Sequence, residues 1–273
     1  MALTFARWVG PGYPAIMTAH PISDRELLDL AIRLTRDASA AILKVRADGF
    51  DVLRKGDRSP VTAADHAAEA IILAGLREAT PHIPAIAEEQ AEDGNLPETE
   101  NEYWLVDPLD GTREFANGLD DFCVNIGLVR NGEPILGAVA IPATGEVFAG
   151  IKGLGAEKHD ATGIHRITAR VPPPEGVTVL ASRHHGDVEQ LNSFLAGRTL
   201  AEMRNFGSAV KFCRMAEGLA DLYPRFGRTM EWDTAAPQAV LEAAGGKVCT
   251  MDGKRLAYGK PGWENPNFYC QGK

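Results

Sequence analysis

The stretch that decides both the fold and the chemistry of this chain reads WLVDPLDGTREF, from Trp104 to Phe115. Apolar residues lead into Asp107 as in a buried strand, and Pro108 is expected to end the hydrogen-bonded ladder there. A turn then begins at Asp110, so two carboxylates three residues apart would lie where the strand ends. With the carbonyl oxygen of Leu109, they form a set of oxygen ligands that suits a hard cation such as Mg²⁺.

Acidic residues also lie next to the ends of other predicted strands and helices. Glu88 and Glu89 directly follow a second predicted strand, and Asp233 directly precedes a predicted helix. Each has a structural alternative, since Asp107 and Asp110 could be turn formers and Asp233 could be only a helix N-cap. The sequence therefore predicts several carboxylates near one site, with these alternatives open.

The first half of the chain predicts two helices followed by a large antiparallel sheet. Capping boxes begin at Ser23 and Thr62, and apolar residues at helical spacing continue to Asp48 and Ala79. Strands are predicted over 83–87, 103–106, 122–130, 135–141, 146–151 and 156–158. Asn-Gly and Thr-Gly turns between them favour antiparallel hairpins.

The pattern changes after the proline run at 172–174. Strands are predicted over 177–181 and 220–223, and helices over 187–195, 208–217 and 234–244. Alternating strands and helices favour a mostly parallel α/β arrangement. We therefore predict an irregular extension over 1–22, an α+β half over 23–172 and an α/β half over 173–273.

Composition excludes several classes of protein. The 273 residues carry 28 Lys and Arg against 37 Asp and Glu, a net charge of −9, which disfavours binding of nucleic acid polymers. No apolar run approaches the roughly 18 residues of a membrane span, and the first 20 residues do not resemble a signal peptide. The four cysteines lack metal-ligand spacing and are expected to be reduced and structural. We expect a cytoplasmic protein.

Taken together, these motifs resemble the inositol monophosphatase family of metal-dependent, lithium-sensitive phosphomonoesterases. The resemblance rests on SPVTAAD at 59–65, Glu88-Glu89, DPLDGT at 107–112, and Trp232-Asp233 followed by Ala-Gly-Gly. It covers roughly residues 25 to 270 and implies a five-layered αβαβα sandwich, a mixed α+β and α/β fold of the inositol monophosphatase and fructose-1,6-bisphosphatase type.

The resemblance implies two or three Mg²⁺ ions, one activating water and another holding the leaving oxygen. The implied ligands are Glu88, Asp107 and the Leu109 carbonyl for the first ion, and Asp107, Asp110 and Asp233 for the second. A third, weaker ion would be shared between Glu88 and water. Glu88 is preferred to Glu89 because it matches the family's first Glu, although their adjacency leaves a swap of roles open.

The implied catalytic residues are Asp65, Thr112 and Glu88. Thr112 and Asp65 would orient and deprotonate the water, and Asp65 would also serve the capping box of the second helix. The two roles are compatible, because a helix N-terminus stabilises an ionised carboxylate.

Within the family, the chain is most similar to the bacterial 3'(2'),5'-bisphosphate nucleotidases. This similarity rests on segments 113–115, 122–126, 182–185, 207–213 and 216–225. The implied substrate contacts are Gly111, Thr112, His185, Ser208, Lys211, Arg225 and Asp233. Lys211 and Arg225 suit a second phosphate, whereas His184 departs from the Ser usual in the family at that position.

The resemblance implies removal of the 3'-phosphate from adenosine 3',5'-bisphosphate, giving AMP and phosphate, with 3'-phosphoadenosine 5'-phosphosulfate as a further substrate and a role in sulfur assimilation. Two alternatives remain: an inositol or other sugar phosphatase, and a non-catalytic or RNA-associated member. The intact ligand set disfavours the last. Expected partners are a small nucleotide bisphosphate and, at most, a second copy in a homodimer. Peripheral association with the cytoplasmic face of the inner membrane stays open.

Overall fold

The computed structural model describes residues 22–54, 60–94, 96–99, 101–183 and 188–273. Its helices are α1 (Asp24–Asp48), α2 (Ala63–Ala79), α3 (Glu88–Glu92), α4 (Thr112–Ala116), α5 (Val188–Leu195), α6 (Val210–Ala216) and α7 (Glu231–Ala243). Its strands are β1 (Val52–Arg54), β2 (Pro60–Thr62), β3 (Ala85–Ala87), β4 (Glu102–Asp110), β5 (Cys123–Arg130), β6 (Glu133–Ile141), β7 (Glu146–Ile151), β8 (Gly155–Asp160), β9 (Gly163–Ile167), β10 (Val177–Ser182), β11 (Leu200–Phe206), β12 (Leu222–Arg225), β13 (Lys247–Thr250) and β14 (Phe268–Gln271).

Helices α1 and α2 begin where their sequences predict. Ser23 and Thr62 both form capping boxes, with Glu26 and Asp65 respectively. The apolar positions of α1 at helical spacing are buried, which gives the helix one face for packing. Local sequence was therefore sufficient to predict both helices.

Seven strands form the first sheet, in the order β3-β4-β5-β6-β7-β8-β9. Every neighbouring pair is antiparallel except β3 and β4, which run parallel. The predicted large antiparallel sheet is confirmed, while β9 was not predicted. A separate antiparallel ladder joins β1 to β2.

Five strands form the second sheet, in the order β11-β10-β12-β14-β13. Strand β10 is parallel to β11 and β12, whereas β14 is antiparallel to both β12 and β13. The prediction of a mostly parallel arrangement is confirmed, because β10, β11, β12 and β13 run in the same direction and, of these five strands, β14 alone opposes them. The division at residue 172 stays a prediction.

The elements stack in five layers. Helices α1 and α2 pack on one face of the seven-stranded sheet, and α7 packs on its other face together with α6. The five-stranded sheet follows, and Phe194 of α5 contacts Tyr269 of β14 with ring centroids 5.4 Å apart. This arrangement confirms the predicted αβαβα sandwich. No helix in the described part of the chain has the length and apolarity that crossing a bilayer requires.

Helix α7 lies unusually close to the seven-stranded sheet. A Cβ atom at Gly127 of β5 would lie 2.6 Å from the backbone nitrogen of Ala236, and one at Gly137 of β6 would lie 2.4 Å from the Ala236 carbonyl oxygen. Two glycines therefore let the helix backbone rest directly on the strands. This contact carries the first turn of α7, with Asp233, towards the end of β4.

Pro108 interrupts the ladder between β4 and β5, as predicted, but the ladder does not end there. Strand β4 continues to Asp110, which pairs with Cys123, and the register shifts between Asp107 and Asp110. A bulge of this kind accommodates a proline that has no N–H to donate. It also changes the direction of the side chains at the end of β4.

Candidate active site

A cleft of about 510 Å³ opens where β4 ends. Its walls come from β4, the start of α4, the ends of β10 and β12, α6 and the first turn of α7. Every sequence-predicted ligand from Glu88 to Asp233 lines it. The fold thus brings together carboxylates that lie up to 145 positions apart in the chain (233 − 88).

Asp107 is the central carboxylate of the cleft. Its side chain is 1% exposed, and its Oδ1 accepts a hydrogen bond from the Leu109 amide at 3.1 Å. Burial, followed by repulsion from Glu88 and then from Asp110 and Asp233, raises the pKa of Asp107 well above its ordinary value. The carboxylates are therefore close enough to oppose one another's ionisation.

Asp110 links the end of β4 to the loop before α6. Its Oδ2 accepts hydrogen bonds from Ser208 Oγ at 2.7 Å and from the Ala209 amide at 2.6 Å. Ser208 adopts a left-handed backbone conformation with φ of 51°, which is uncommon for a residue other than glycine. The hydrogen bonds to Asp110 oppose relaxation of this strained backbone.

Asp233 lies in the first turn of α7, which begins at Glu231. The alternative that Asp233 is the N-cap is wrong, because the helix starts before it. Its Oδ2 accepts from the amide of Met230, the residue that precedes the helix, at 2.9 Å. Burial, followed by repulsion from Asp110 and Glu88, raises the pKa of Asp233 well above its ordinary value, and Arg225 opposes this rise.

Glu88 and Glu89 differ in their surroundings. Glu88 lines the cleft, whereas Glu89 is 7% exposed and does not line it. Glu69 of α2 receives the amides of Glu89 and Gln90, at 2.9 and 3.1 Å, on its two carboxylate oxygens. It therefore anchors the start of α3 and with it the position of Glu88.

Glu69 was not predicted from the sequence. The spacing in the sequence could have revealed this residue, because Glu69 follows Asp65 by one helical turn and so shares its buried face in α2. A buried carboxylate with two backbone donors is a stable arrangement, since each donor would otherwise lack a partner at the start of α3.

Asp65 and Thr112, the two residues predicted to handle the water, lie within hydrogen-bond distance of each other. Thr112 Oγ1 lies 3.0 Å from Asp65 Oδ1 and 3.0 Å from the Leu109 carbonyl oxygen, and its single proton can serve one of them fully. The other oxygen of Asp65 accepts from Thr62 N at 2.7 Å and Thr62 Oγ1 at 2.8 Å. The capping box therefore orients the carboxylate towards Thr112.

Gly111 precedes α4 with φ of 91°. A side chain there would face both conformational strain and a contact of 3.0 Å with the Asp121 carbonyl oxygen. Glycine thus allows the chain to turn sharply from β4 into α4. The start of that helix, at Thr112, lines the cleft.

Basic side chains line the part of the cleft contributed by the five-stranded sheet and α6. Arg225 donates from Nη1 to Ser182 Oγ at 2.8 Å, while its buried Nε has no partner among the described residues. Arg183 pairs with Asp121 at 2.6 Å, and that carboxylate also accepts from the Gly207 amide at 3.0 Å. His185 lies outside the described residues.

Lys211 is 2% exposed, although it borders the cleft. Its Nζ donates to the carbonyl oxygens of Phe206 at 3.0 Å and Ser208 at 2.7 Å. Burial lowers the pKa of Lys211 to about 8, with Asp110 opposing this and Arg225 adding to it. Its ammonium group therefore holds the loop that carries Ser208.

The donor chemistry of the cleft fits a hard divalent cation. Within the described ranges, no three Asp, Glu, His or Cys side chains are arranged closely enough to hold a metal ion without some movement. Both Asp110 and Asp233 turn one oxygen towards a protein donor. The carboxylates nevertheless repel one another, and a divalent cation among them would relieve that repulsion.

Comparisons with known proteins agree with this arrangement. The sequence matches the inositol monophosphatase family over residues 23–271. The 3'(2'),5'-bisphosphate nucleotidase CysQ of Escherichia coli K12 is 42% identical over 246 residues, which span 89% of this chain and 98% of that protein. CysQ from Bacteroides thetaiotaomicron has a TM-score of 0.78 at 32% identity, covering 92% of this chain and 98% of that one. An inositol monophosphatase from Anabaena has a TM-score of 0.73 at 27% identity, with 90% of each chain covered. This chain belongs to the inositol monophosphatase family.

Proposed function

We propose that this protein is a Mg²⁺-dependent phosphomonoesterase that converts adenosine 3',5'-bisphosphate to AMP and phosphate. The observation that carries the proposal is the charge of the cleft. Carboxylates at the ends of β3 and β4 and at the start of α7 face a wall with Arg183, Lys211 and Arg225. A ligand with two phosphates would match both the carboxylates that are proposed to bind Mg²⁺ and the basic wall opposite them. Relatives about 42% identical are also named bisphosphate nucleotidases.

The ligands proposed for two or three Mg²⁺ ions are Glu88, Asp107, the Leu109 carbonyl, Asp110 and Asp233. When bound, Mg²⁺ would neutralise phosphoryl charge and lower the pKa of water. Glu88, Asp110 and Asp233 all repel the carboxylate of Asp107, so Asp107 is the proposed bridging ligand. Asp110 would keep its contact with Ser208 through one oxygen and offer the other as a ligand.

Thr112 and Asp65 would handle the proton of the attacking water. The Thr112 hydroxyl can donate to Asp65 Oδ1 at 3.0 Å, which leaves its oxygen able to accept a proton from water. Asp65 is held for this task by Thr62 on its second oxygen. Proton transfer from water to the Asp65 carboxylate through Thr112 is general base catalysis.

The amides of Gly111 and Thr112 are proposed to bind the phosphate that is hydrolysed. They stand at the start of α4, where backbone N–H groups have no partner within the helix. These donors would stabilise charge on the phosphoryl oxygens as the bond to the leaving oxygen breaks.

The second phosphate and the sugar would contact Ser208, Arg225 and His185. The buried, unpartnered Nε of Arg225 supports this role, because a buried N–H group gains most from a charged acceptor. Lys211 would contribute its charge while its ammonium orders the 206–208 loop. Discrimination against substrates with one phosphate would therefore depend mainly on Arg225.

The test compares phosphate release from adenosine 3',5'-bisphosphate, inositol 1-phosphate and fructose 1,6-bisphosphate at equal Mg²⁺. The proposal predicts the highest kcat/KM for the nucleotide, with 3'-phosphoadenosine 5'-phosphosulfate as a further substrate. A preference for inositol 1-phosphate would replace the substrate assignment and leave the mechanism standing. No turnover of any of them would favour the non-catalytic alternative.

Location and assembly are part of the same proposal. A small, soluble nucleotide substrate fits a cytoplasmic enzyme acting as a monomer or homodimer. Size-exclusion chromatography with light scattering would decide between the two assemblies. Cell fractionation would test the location.

A further inference from the structure

Asn125 is a buried amide without a hydrogen-bond partner. It lies in β5 and is 0% exposed, and both its Nδ2 and its Oδ1 lack partners among the described residues. The rest of β5 from Cys123 to Val129 is apolar. Asn is disfavoured in strands, and an unpaired buried amide lowers the stability of the folded state. Its presence in this strand therefore calls for a reason other than stability.

The strand register places Asn125 beside the central carboxylate. Asn125 pairs directly with Asp107 of β4, so the two side chains project from the same face of the sheet. Directly paired residues have Cβ atoms about 5 Å apart, within reach of a hydrogen bond between an amide and a carboxylate. On its other side Asn125 pairs with Val139 of β6, which is fully buried.

Asn125 does not line the cleft, so it cannot touch substrate. The next residue of β5 on the same face is Gly127, on which the backbone of α7 rests at Ala236. The amide is therefore enclosed between the sheet and α7, behind Asp107. A group in this position can influence the cleft only through the residues next to it.

We propose that Asn125 is a positioning residue for Asp107, donating a hydrogen bond from Nδ2 that orients the carboxylate when it binds a divalent cation. The inference rests on the proposed function. Oδ1 of Asp107 already accepts from Leu109, and an ionised carboxylate can accept further donors. The donor is neutral, and this matters because a Lys or Arg at this position would compete with the cation for Asp107.

The test uses Asn125→Leu, which has a similar volume and no polar atoms. Thermal unfolding midpoints are measured without substrate, first with a chelator and then across a Mg²⁺ titration. With chelator, Asn125→Leu should unfold at the same or a higher temperature than wild type. The rise in unfolding temperature gives the Mg²⁺ midpoint, which is the Mg²⁺ concentration at which half of the folded protein holds the ion. This midpoint should increase about 10-fold, the loss typical of a partner to a metal ligand.

Val139→Ala is the matched control, since Val139 is equally buried and flanks Asn125 on the side away from Asp107. It should unfold at a lower temperature with chelator but keep the wild-type Mg²⁺ midpoint. If Asn125→Leu does not fold, Asn125→Val is measured by the same criteria.

An Asn125→Leu or Asn125→Val protein with the wild-type Mg²⁺ midpoint would overturn the inference and leave the proposed function intact. A lower unfolding temperature with chelator, at an unchanged Mg²⁺ midpoint, would show instead that the amide supports only the fold. A wild-type protein that Mg²⁺ does not stabilise would overturn this inference and the proposed metal site together.

Discussion

Replacing Lys211 by Met removes an ammonium group that the fold buries beside the cleft. The side chain is 2% exposed, and its donors reach only to the carbonyl oxygens of Phe206 and Ser208 in the described structure. Met keeps the length and most of the volume of the lysine. The change also removes these two hydrogen bonds, so the pH dependence of the difference, rather than the difference itself, reports the effect of burying the charge.

The folded and unfolded pKa values of Lys211 give the sign and the magnitude of the change in the free energy of unfolding with pH. Burial lowers the pKa of Lys211 to about 8 from its ordinary 10.5, so between these values the unfolded chain binds more protons than the folded protein. Stability must then rise with pH in that window and fall as the pH drops through the folded pKa. Between about pH 7 and about pH 9.5, the wild-type free energy of unfolding should increase by about 2 kcal/mol relative to Lys211→Met.

Urea unfolding with chelator present, followed by tryptophan fluorescence at several pH values in this range, measures the difference. Comparing the two proteins cancels the titration of every other group. Lys247→Met is the control, because Lys247 is exposed on β13, and its pH profile should run parallel to wild type. A parallel profile for Lys211→Met would refute the buried ammonium group and favour a lysine that reaches into the open cleft.

Two further predictions concern the carboxylates. Asp107→Asn should abolish nearly all phosphate release while leaving the unfolding temperature in chelator unchanged or higher, because it removes repulsion among Glu88, Asp107, Asp110 and Asp233; retained activity with an unchanged Mg²⁺ requirement would contradict the site. Glu69→Gln should raise the Mg²⁺ concentration for half-maximal phosphate release by about 10-fold, because one of its two contacts at the start of α3 becomes repulsive. Glu78→Gln, exposed on the same helix, should not change that requirement, and an unaltered Glu69→Gln enzyme would remove Glu69 from the mechanism.

Much of the fold could be predicted because its signals are local. The capping boxes at Ser23 and Thr62 mark the starts of α1 and α2 within one residue. Alternating apolar residues and tight turns marked the hairpins of the seven-stranded sheet. Strands β13 and β14 were not predicted, although β12, which is equally short, was.

The candidate ligands were also found from the sequence, since they lie in short motifs where strands end. Their supporting residues were not. Glu69 bonds to the start of α3 and Asn125 pairs with Asp107, and only helix packing and strand register bring these residues together. Lys211 was predicted as a substrate contact, and its orientation towards the 206–208 loop depends on the loop backbone.

By itself, the sequence determined which candidate groups this protein carries: oxygen atoms at the end of β4 that could bind a cation, a Thr and Asp pair, and basic residues late in the chain. Those properties follow from residue type and short-range spacing. Only the tertiary structure decided which groups meet. The bulge at Pro108 directs Asp110 towards Ser208, and the glycines at 127 and 137 admit α7 so that Asp233 approaches Asp107. Such contacts depend on backbone distances between separate elements, which no local pattern of side chains specifies.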